Sequence, residues 1–204
     1  MNTKTPYQPK PKDELAPNIF KTKIEGLYFL QFKKHGDDRG FFSELVKIPD
    51  LEKIVGFKFN PQQFNFSFSQ QNVVRGFHAE KWNKLITATS GKAFCVIADI
   101  RPDSPTFKQT ESFWIGINWS KEYGSGLFIS SGLANSICMI DGPVGYIYSV
   151  DQLYEKRDKS GDVAISVFDE ELNIEWPIPK EQMILSERDK KAISLQQLLE
   201  EQDR

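Results

Sequence analysis

The sequence predicts an all-β domain folded as a sandwich or barrel, and three observations carry that expectation. Many short apolar runs alternate with connections containing Gly, Pro, Asn or Asp, the spacing of a many-stranded fold. Gln63-Phe64-Asn65-Phe66-Ser67-Phe68-Ser69 alternates strictly, so a strand there sets three Phe on one face and four polar residues on the other. The chain also holds sixteen phenylalanines in 204 residues, side chains that suit sheet interiors and aromatic-walled pockets.

Taken in order, residues 1–18 are rich in Pro and Lys and lack periodicity, so they read as an extended arm or a disordered tail. Residues 19–204 then form one domain, since no linker is long enough to separate a second and no 20–50-residue repeat is visible. Leu27 to Phe32 is an apolar strand, Gly36-Asp37-Asp38-Arg39-Gly40 has the chemistry of a tight turn, and Phe41 to Val46 follows as a strand. Asp50 to Val55 fits a short helical turn. After the alternating strand at 63–69 and a short strand around His78, further strands are expected at 84–89, 92–101, 109–117, 125–130, 135–140, 145–151 and 163–168. The tail changes period. Ala192-Ile193-x-Leu195-x-x-Leu198-Leu199 has helical spacing, and Ser194 with Gln197, or Ser186 with Asp189, can form a capping box.

Composition narrows the function. A net charge of −2 leaves no electrostatic footprint for nucleic acid, though a local basic pocket for a phosphorylated ligand stays open. No apolar run approaches the roughly 20 residues that span a bilayer, and the first residues lack the apolar core of a secretory signal. Cys95 and Cys138 both lie in apolar runs and read as reduced core thiols of a cytoplasmic protein. No phosphate-gripping glycine loop and no G-x-S-x-G elbow is present.

The richest stretch is Arg75-Gly76-Phe77-His78-Ala79-Glu80, followed by Lys84. His78 is one of two histidines, and an imidazole is the side chain best matched to moving protons near neutrality. A cation such as Lys84 can stabilise the anion that proton removal creates. The structural alternative is a satisfied strand histidine. In a regular strand Arg75 faces away from His78, so both serve one site only if a bulge or turn falls near Gly76. A metal centre is not expected, because His78-x-Glu80 offers at most two ligands on one face and His35 is distant in sequence. Tyr146 and Tyr148 share a strand face, and a phenol can return a proton to an enolate; two half-buried strand tyrosines are the alternative. Asp189 reads on its own as the third-position acid of a capping box.

In combination these pieces resemble the dTDP-4-dehydrorhamnose 3,5-epimerase family of cupin-like jelly rolls. The matching segments are Asp38-Arg39-Gly40-Phe41-Phe42-x-Glu44, Gln63-x-Asn65-x-Ser67, Val74-Arg75-Gly76-Phe77-His78, Lys84-Leu85, and Asp99-Ile100-Arg101-x-x-Ser104-Pro105-Thr106-Phe107. Tyr148 with Tyr154, Ile174-Glu175-Trp176-Pro177 and Leu185-Ser186-x-x-Asp189 complete the series, in the family's order over roughly residues 25–190. The resemblance implies a jelly roll with short helices and a C-terminal helix, commonly paired as a homodimer, across which the N-terminal arm could exchange. It implies that His78 is the base, Asp189 its orienting carboxylate, Tyr148 the acid on the opposite face of the sugar, and Lys84 the cation at the C4 oxygen. Arg39, Glu44, Gln63, Asn65, Arg75 and Tyr154 fall where the family grips the nucleotide and its diphosphate. The implied reaction inverts C3, C5 or both in a nucleotide-linked 4-keto-6-deoxyhexose for deoxysugar synthesis, through an enolate and with no redox cofactor. The chain departs from the usual pattern at Asn135, where the family has His, at Cys95, where it has Asp, and at Ala79-Glu80, where it has Tyr-Gln. A 3,4-ketoisomerase using the same base and a non-catalytic sugar-binding jelly roll are the competing expectations.

Overall fold

The computed structural model describes residues 5–202. In chain order the strands are β1 (Glu14–Ala16), β2 (Ile19–Lys21), β3 (Leu27–Lys33), β4 (His35–Asp37), β5 (Gly40–Phe42), β6 (Gln63–Ser69), β7 (Val74–Ala79), β8 (Lys84–Ala88), β9 (Lys92–Asp99), β10 (Thr110–Ile115), β11 (Tyr123–Ile129), β12 (Leu133–Asp141), β13 (Val144–Val150) and β14 (Val163–Ala164). The α-helices are α1 (Ile48–Val55), α2 (Glu187–Lys190) and α3 (Leu195–Gln202). One sheet runs β1-β2-β3-β11-β8-β13-β6, the other β10-β9-β12-β7-β14, and β4 with β5 makes a separate hairpin. The sheets face each other as a sandwich, with an isolated bridge between Gly116 and Ser125 at one border.

Alternation explains the layering. On β9, Ala93, Cys95 and Ile97 point inward to meet Phe29, Ile86 and Leu127 of the opposite sheet, while Phe94, Val96 and Ala98 point outward. The chain after β14 covers that outward face, burying Ile165, Val167, Leu172, Leu195 and Leu198. This is why the expected strand at 163–168 is cut short: Val163 and Ala164 pair with β7, Ile165 still exchanges backbone hydrogen bonds with Phe77, and the rest leaves the sheet edge to pack over it. Helix α1 covers part of the other outer face through Leu51, which meets Leu30 and Phe128. Its ends follow local chemistry, with Pro49 in the first turn and Gly56 in the left-handed conformation (φ 81°) after the last. The strand expected at 41–46 ends at Phe42, because β5 has only β4 as a neighbour and Pro49 soon opens α1.

Within the stretch expected to be an arm, Met1–Lys4 lie outside the described residues. Tyr7 is fastened to its own domain: its N–H donates to the Ser112 carbonyl at 2.8 Å, its hydroxyl to the Lys21 carbonyl at 2.8 Å, and its ring lies 5.2 Å from Phe29. At the other end, Ser194 Oγ accepts from Gln197 N–H and Gln197 Oε1 from Ser194 N–H, a complete capping box on α3.

Candidate active site

A cavity of about 240 Å³ opens between the sheets, walled by β7 and β12 on one side and by β6, β8 and β13 on the other. In the ladder between β7 and β12, His78 stands opposite Asn135 and Arg75 opposite Ile137. Gly76 and Phe77 therefore share Ser136, which makes a bulge. The bulge turns Arg75 and His78 into the same cavity and sends Phe77 fully into the outer core. Only glycine fits at 76. Its φ is 110°, and a Cβ there would lie 2.4 Å from the Asn135 carbonyl oxygen.

His78 Nε2 meets Asp189 Oδ1 at 2.6 Å across 111 residues of sequence. Asp189 sits on α2, where its N–H donates to Ser186 Oγ at 3.1 Å, but its carboxylate turns away from the helix toward the imidazole. The carboxylate is 3% exposed and the imidazole 25%. Burial pushes the Asp189 carboxyl up, yet the bonds from His78, Ser186 and the Gly76 N–H outweigh it and hold it below its ordinary value. An ionised carboxylate accepts from Nε2–H, which leaves the lone pair on Nδ1.

Lys84 enters from β8 in the opposite sheet and is 7% exposed. Its ammonium donates to Asn135 Oδ1 at 2.7 Å, across the sandwich, and touches the Glu80 carboxylate. A buried charge persists only when paired in this way. Tyr148 lines the cavity from β13, its ring 5.6 Å from that of Tyr146. Burial and then the nearby Glu80 charge push the Tyr148 phenol up; burial pushes Tyr146 up further. Both keep their protons at neutral pH. Burial likewise raises the thiols, Cys138 to about 12, so they stay unreactive.

The mouth is made differently. The Arg157 guanidinium lies 3.9 Å from the centre of the Tyr154 ring and 5.0 Å from that of Trp82, and pairs with Asp162. Arg188 lines the cavity with no side-chain partner among the described residues. Arg75 donates to Ser69 Oγ at 3.0 Å. On β6, Gln63 Nε2 donates to Asn65 Oδ1 at 2.6 Å, Gln63 Oε1 accepts from the Tyr154 N–H at 2.8 Å, and Ser67 on the same strand lines the cavity. Ser67 Oγ and Trp82 Nε1 are buried polar atoms without protein partners, a pattern that marks places for ligand or water.

The structure thus brings His78, Tyr148, Lys84, Arg75, Asn135 and Tyr154 to the lining of one cavity, with Asp189 behind the lining, bonded to His78. Gln63 and Asn65 lie outside the lining, Gln63 bonded to both Asn65 and Tyr154. Arg39 and Glu44 are not there. Arg39 lies beside the exposed β4–β5 hairpin, its side chain 90% exposed and bound to Asp37 at 2.5 Å, and Glu44 pairs with Lys47 at 3.5 Å. Sequence reasoning missed Trp82, Arg157 and Arg188. Arg157 sits in a charged, aperiodic run, and the one signal for Arg188 is its place beside Asp189.

The layered sheets and the polar cavity between them place this chain among the cupin-like jelly rolls. A family model described as dTDP-4-dehydrorhamnose 3,5-epimerase matches residues 21–197, and the chain belongs to that family. It is 34% identical over 176 residues to a dTDP-4-dehydrorhamnose 3,5-epimerase of Shigella flexneri, covering 84% of this chain and 92% of that one. A Legionella pneumophila dTDP-6-deoxy-D-glucose-3,5-epimerase, solved with dTDP-4-keto-L-rhamnose, superposes with a TM-score of 0.78 at 30% identity, over 88% of this chain and 93% of that one. A 4-keto-6-deoxy sugar epimerase from the novobiocin gene cluster of Streptomyces spheroides gives 0.82 at 26% identity, over 90% of each chain.

Proposed function

We propose that the protein epimerises a dTDP-linked 4-keto-6-deoxyhexose next to its ketone, at C3, C5 or both. The observation that carries this reading is the His78–Asp189 pair in one cavity with Lys84 and Tyr148, in a chain of this family. A C4 ketone acidifies the neighbouring C–H bonds. His78 Nδ1 takes such a proton, and the C–H electron pair moves onto the C4 oxygen as an enolate. Asp189 fixes the tautomer and stabilises the imidazolium. Lys84 donates to the enolate oxygen. Tyr148 O–H then protonates the carbon from the other face, which inverts it. The imidazolium loses and the phenolate regains a proton from solvent, so no electrons are gained or lost. Arg75 and Arg188 supply the positive charge for the diphosphate.

The proposed assembly is a homodimer. Phe64, Phe66 and Phe68 are 68%, 63% and 58% exposed on edge strand β6, beside an apolar groove of about 80 Å³ next to Ile147. Such a row on an open edge needs a cover, and a second copy supplies one of matching shape. A partner's hairpin is also the source of an Arg39 and a Glu44 for the nucleotide, since the chain's own lie away from its cavity. Two buried, unpaired thiols fit a reducing compartment such as the cytoplasm.

The test is incubation with dTDP-4-keto-6-deoxyglucose in D2O, followed by NMR. Deuterium appears at C3, C5 or both while the carbonyl stays at C4. A carbonyl moved to C3 makes the protein a ketoisomerase, and no deuterium makes it a binder. Sedimentation of wild type and Phe66→Lys checks the pairing: a dimer that dissociates in the variant is expected, and a monomeric wild type would end that part.

A further inference from the structure

We propose that Glu80 is a positioning residue for Lys84, orienting its ammonium toward the oxygen on which the enolate charge develops. The inference rests on the reading above and adds a residue to it. An ammonium has three N–H donors. Here one goes to Asn135 Oδ1 and another to the Glu80 carboxylate, so two fixed acceptors on different strands or turns leave one donor for the cavity. Both acceptors are held. Asn135 is the third residue of β12, which lies between β9 and β7, and Glu80 directly follows β7, four residues before Lys84. Glu80 is 15% exposed and is the one carboxylate lining the cavity among the described residues.

The departures from the family pattern converge on the same spot. Where a His and an Asp are usual, this chain has Asn135 and Cys95, neither of which carries a negative charge here. Where Gln is usual, it has Glu80. The negative partner for the buried ammonium therefore comes from the β7–β8 turn. A carboxylate at this point also weakens the net positive field on the enolate, so its benefit is one of geometry, and an uncharged acceptor of the same shape should serve as well. Arg75, His78 and Tyr148 also line the cavity, and none of them is an acceptor for Lys84.

Two variants separate geometry from charge. Glu80→Ala frees the ammonium and should lower kcat for epimerisation roughly hundredfold with KM within about threefold, the effect of misaligning a reacting group. Glu80→Gln keeps an acceptor and should stay within about fivefold of wild type in kcat, a smaller loss than misalignment causes. A Glu80→Ala enzyme at wild-type kcat, a loss confined to KM, or a Glu80→Gln enzyme as slow as Glu80→Ala would overturn the proposal. A readout independent of turnover is the lysine ammonium region of a 1H–15N spectrum. Wild type and Glu80→Gln should show one solvent-protected ammonium signal, assigned by its loss in Lys84→Met, and Glu80→Ala should not. Protection retained in Glu80→Ala overturns the proposal even if no substrate is turned over. Absence of exchange in wild type with protection behaving as expected would instead remove the epimerase reading alone.

Discussion

At the deep end of the cavity the imidazole and the ammonium are each held by hydrogen-bonded side chains, whereas at the mouth Arg188 is left with its donors open. His78 is fixed by Asp189, and Lys84 by Asn135 and Glu80. Arg157 lies on Tyr154 and Trp82 but is already paired with Asp162 and donates to the Tyr154 carbonyl, whereas Arg188 has no side-chain partner among the described residues. The difference matches two tasks. Proton transfer requires groups placed before the substrate arrives, because misplacement costs rate directly. Gripping a diphosphate requires available guanidinium donors, and a donor already satisfied within the protein has less to offer.

The sharpest way to break the comparison is at the deep end. His78→Asn should slow deuterium incorporation on the order of 10²–10⁴-fold while nucleotide binding, measured by calorimetry, is kept. A variant that still exchanges at the wild-type rate takes His78 out of the mechanism. Tyr148→Phe should divide the two halves of the reaction. Inversion, followed by product NMR, falls about a hundredfold, but exchange at the position His78 attacks persists, since the same imidazole can return a proton from its own side. Equal loss of both would mean that Tyr148 does more than reprotonate.

At the mouth the effect is smaller and falls on KM. Arg188→Ala should raise KM about tenfold, the loss of roughly 1.5 kcal/mol for one charge-assisted hydrogen bond. A fall in kcat alone would place Arg188 with the deep group instead.

The smallest effect concerns stability. The Asp189 carboxyl is held below its ordinary value, so its contribution is fully present above the range where an ordinary Asp titrates, about pH 4, and is lost as pH falls through the native-state value. Urea midpoints at about pH 6 and about pH 3 should differ less in Asp189→Asn than in wild type. An unchanged difference would mean that the His78–Asp189 pair adds nothing to acid-side stability.

Legibility varied with the range of the interaction. Strand β6 was readable because alternation is local and Gln63 to Ser69 shows it without a break. Helix α1 appeared in the sequence only as a turn at 50–55, since it starts earlier, at Ile48, and only Leu51 is buried along it. The bulge at Gly76 could be anticipated from the need to bring Arg75 and His78 together. Arg157 could not, because its place depends on Trp82, Tyr154 and Asp162, and the wall they form has no period in sequence.

By itself the sequence determined which chemical groups are present, the alternation that makes two-faced strands, and the ordered segments of the family, because each is a property of neighbouring residues. Only the tertiary structure decided that Asp189 turns from its helix to His78, that Lys84 reaches across to Asn135, and that the chain's own Arg39 and Glu44 stand apart from its cavity. Those outcomes depend on strand register and on how closely two sheets approach, and no local pattern encodes either.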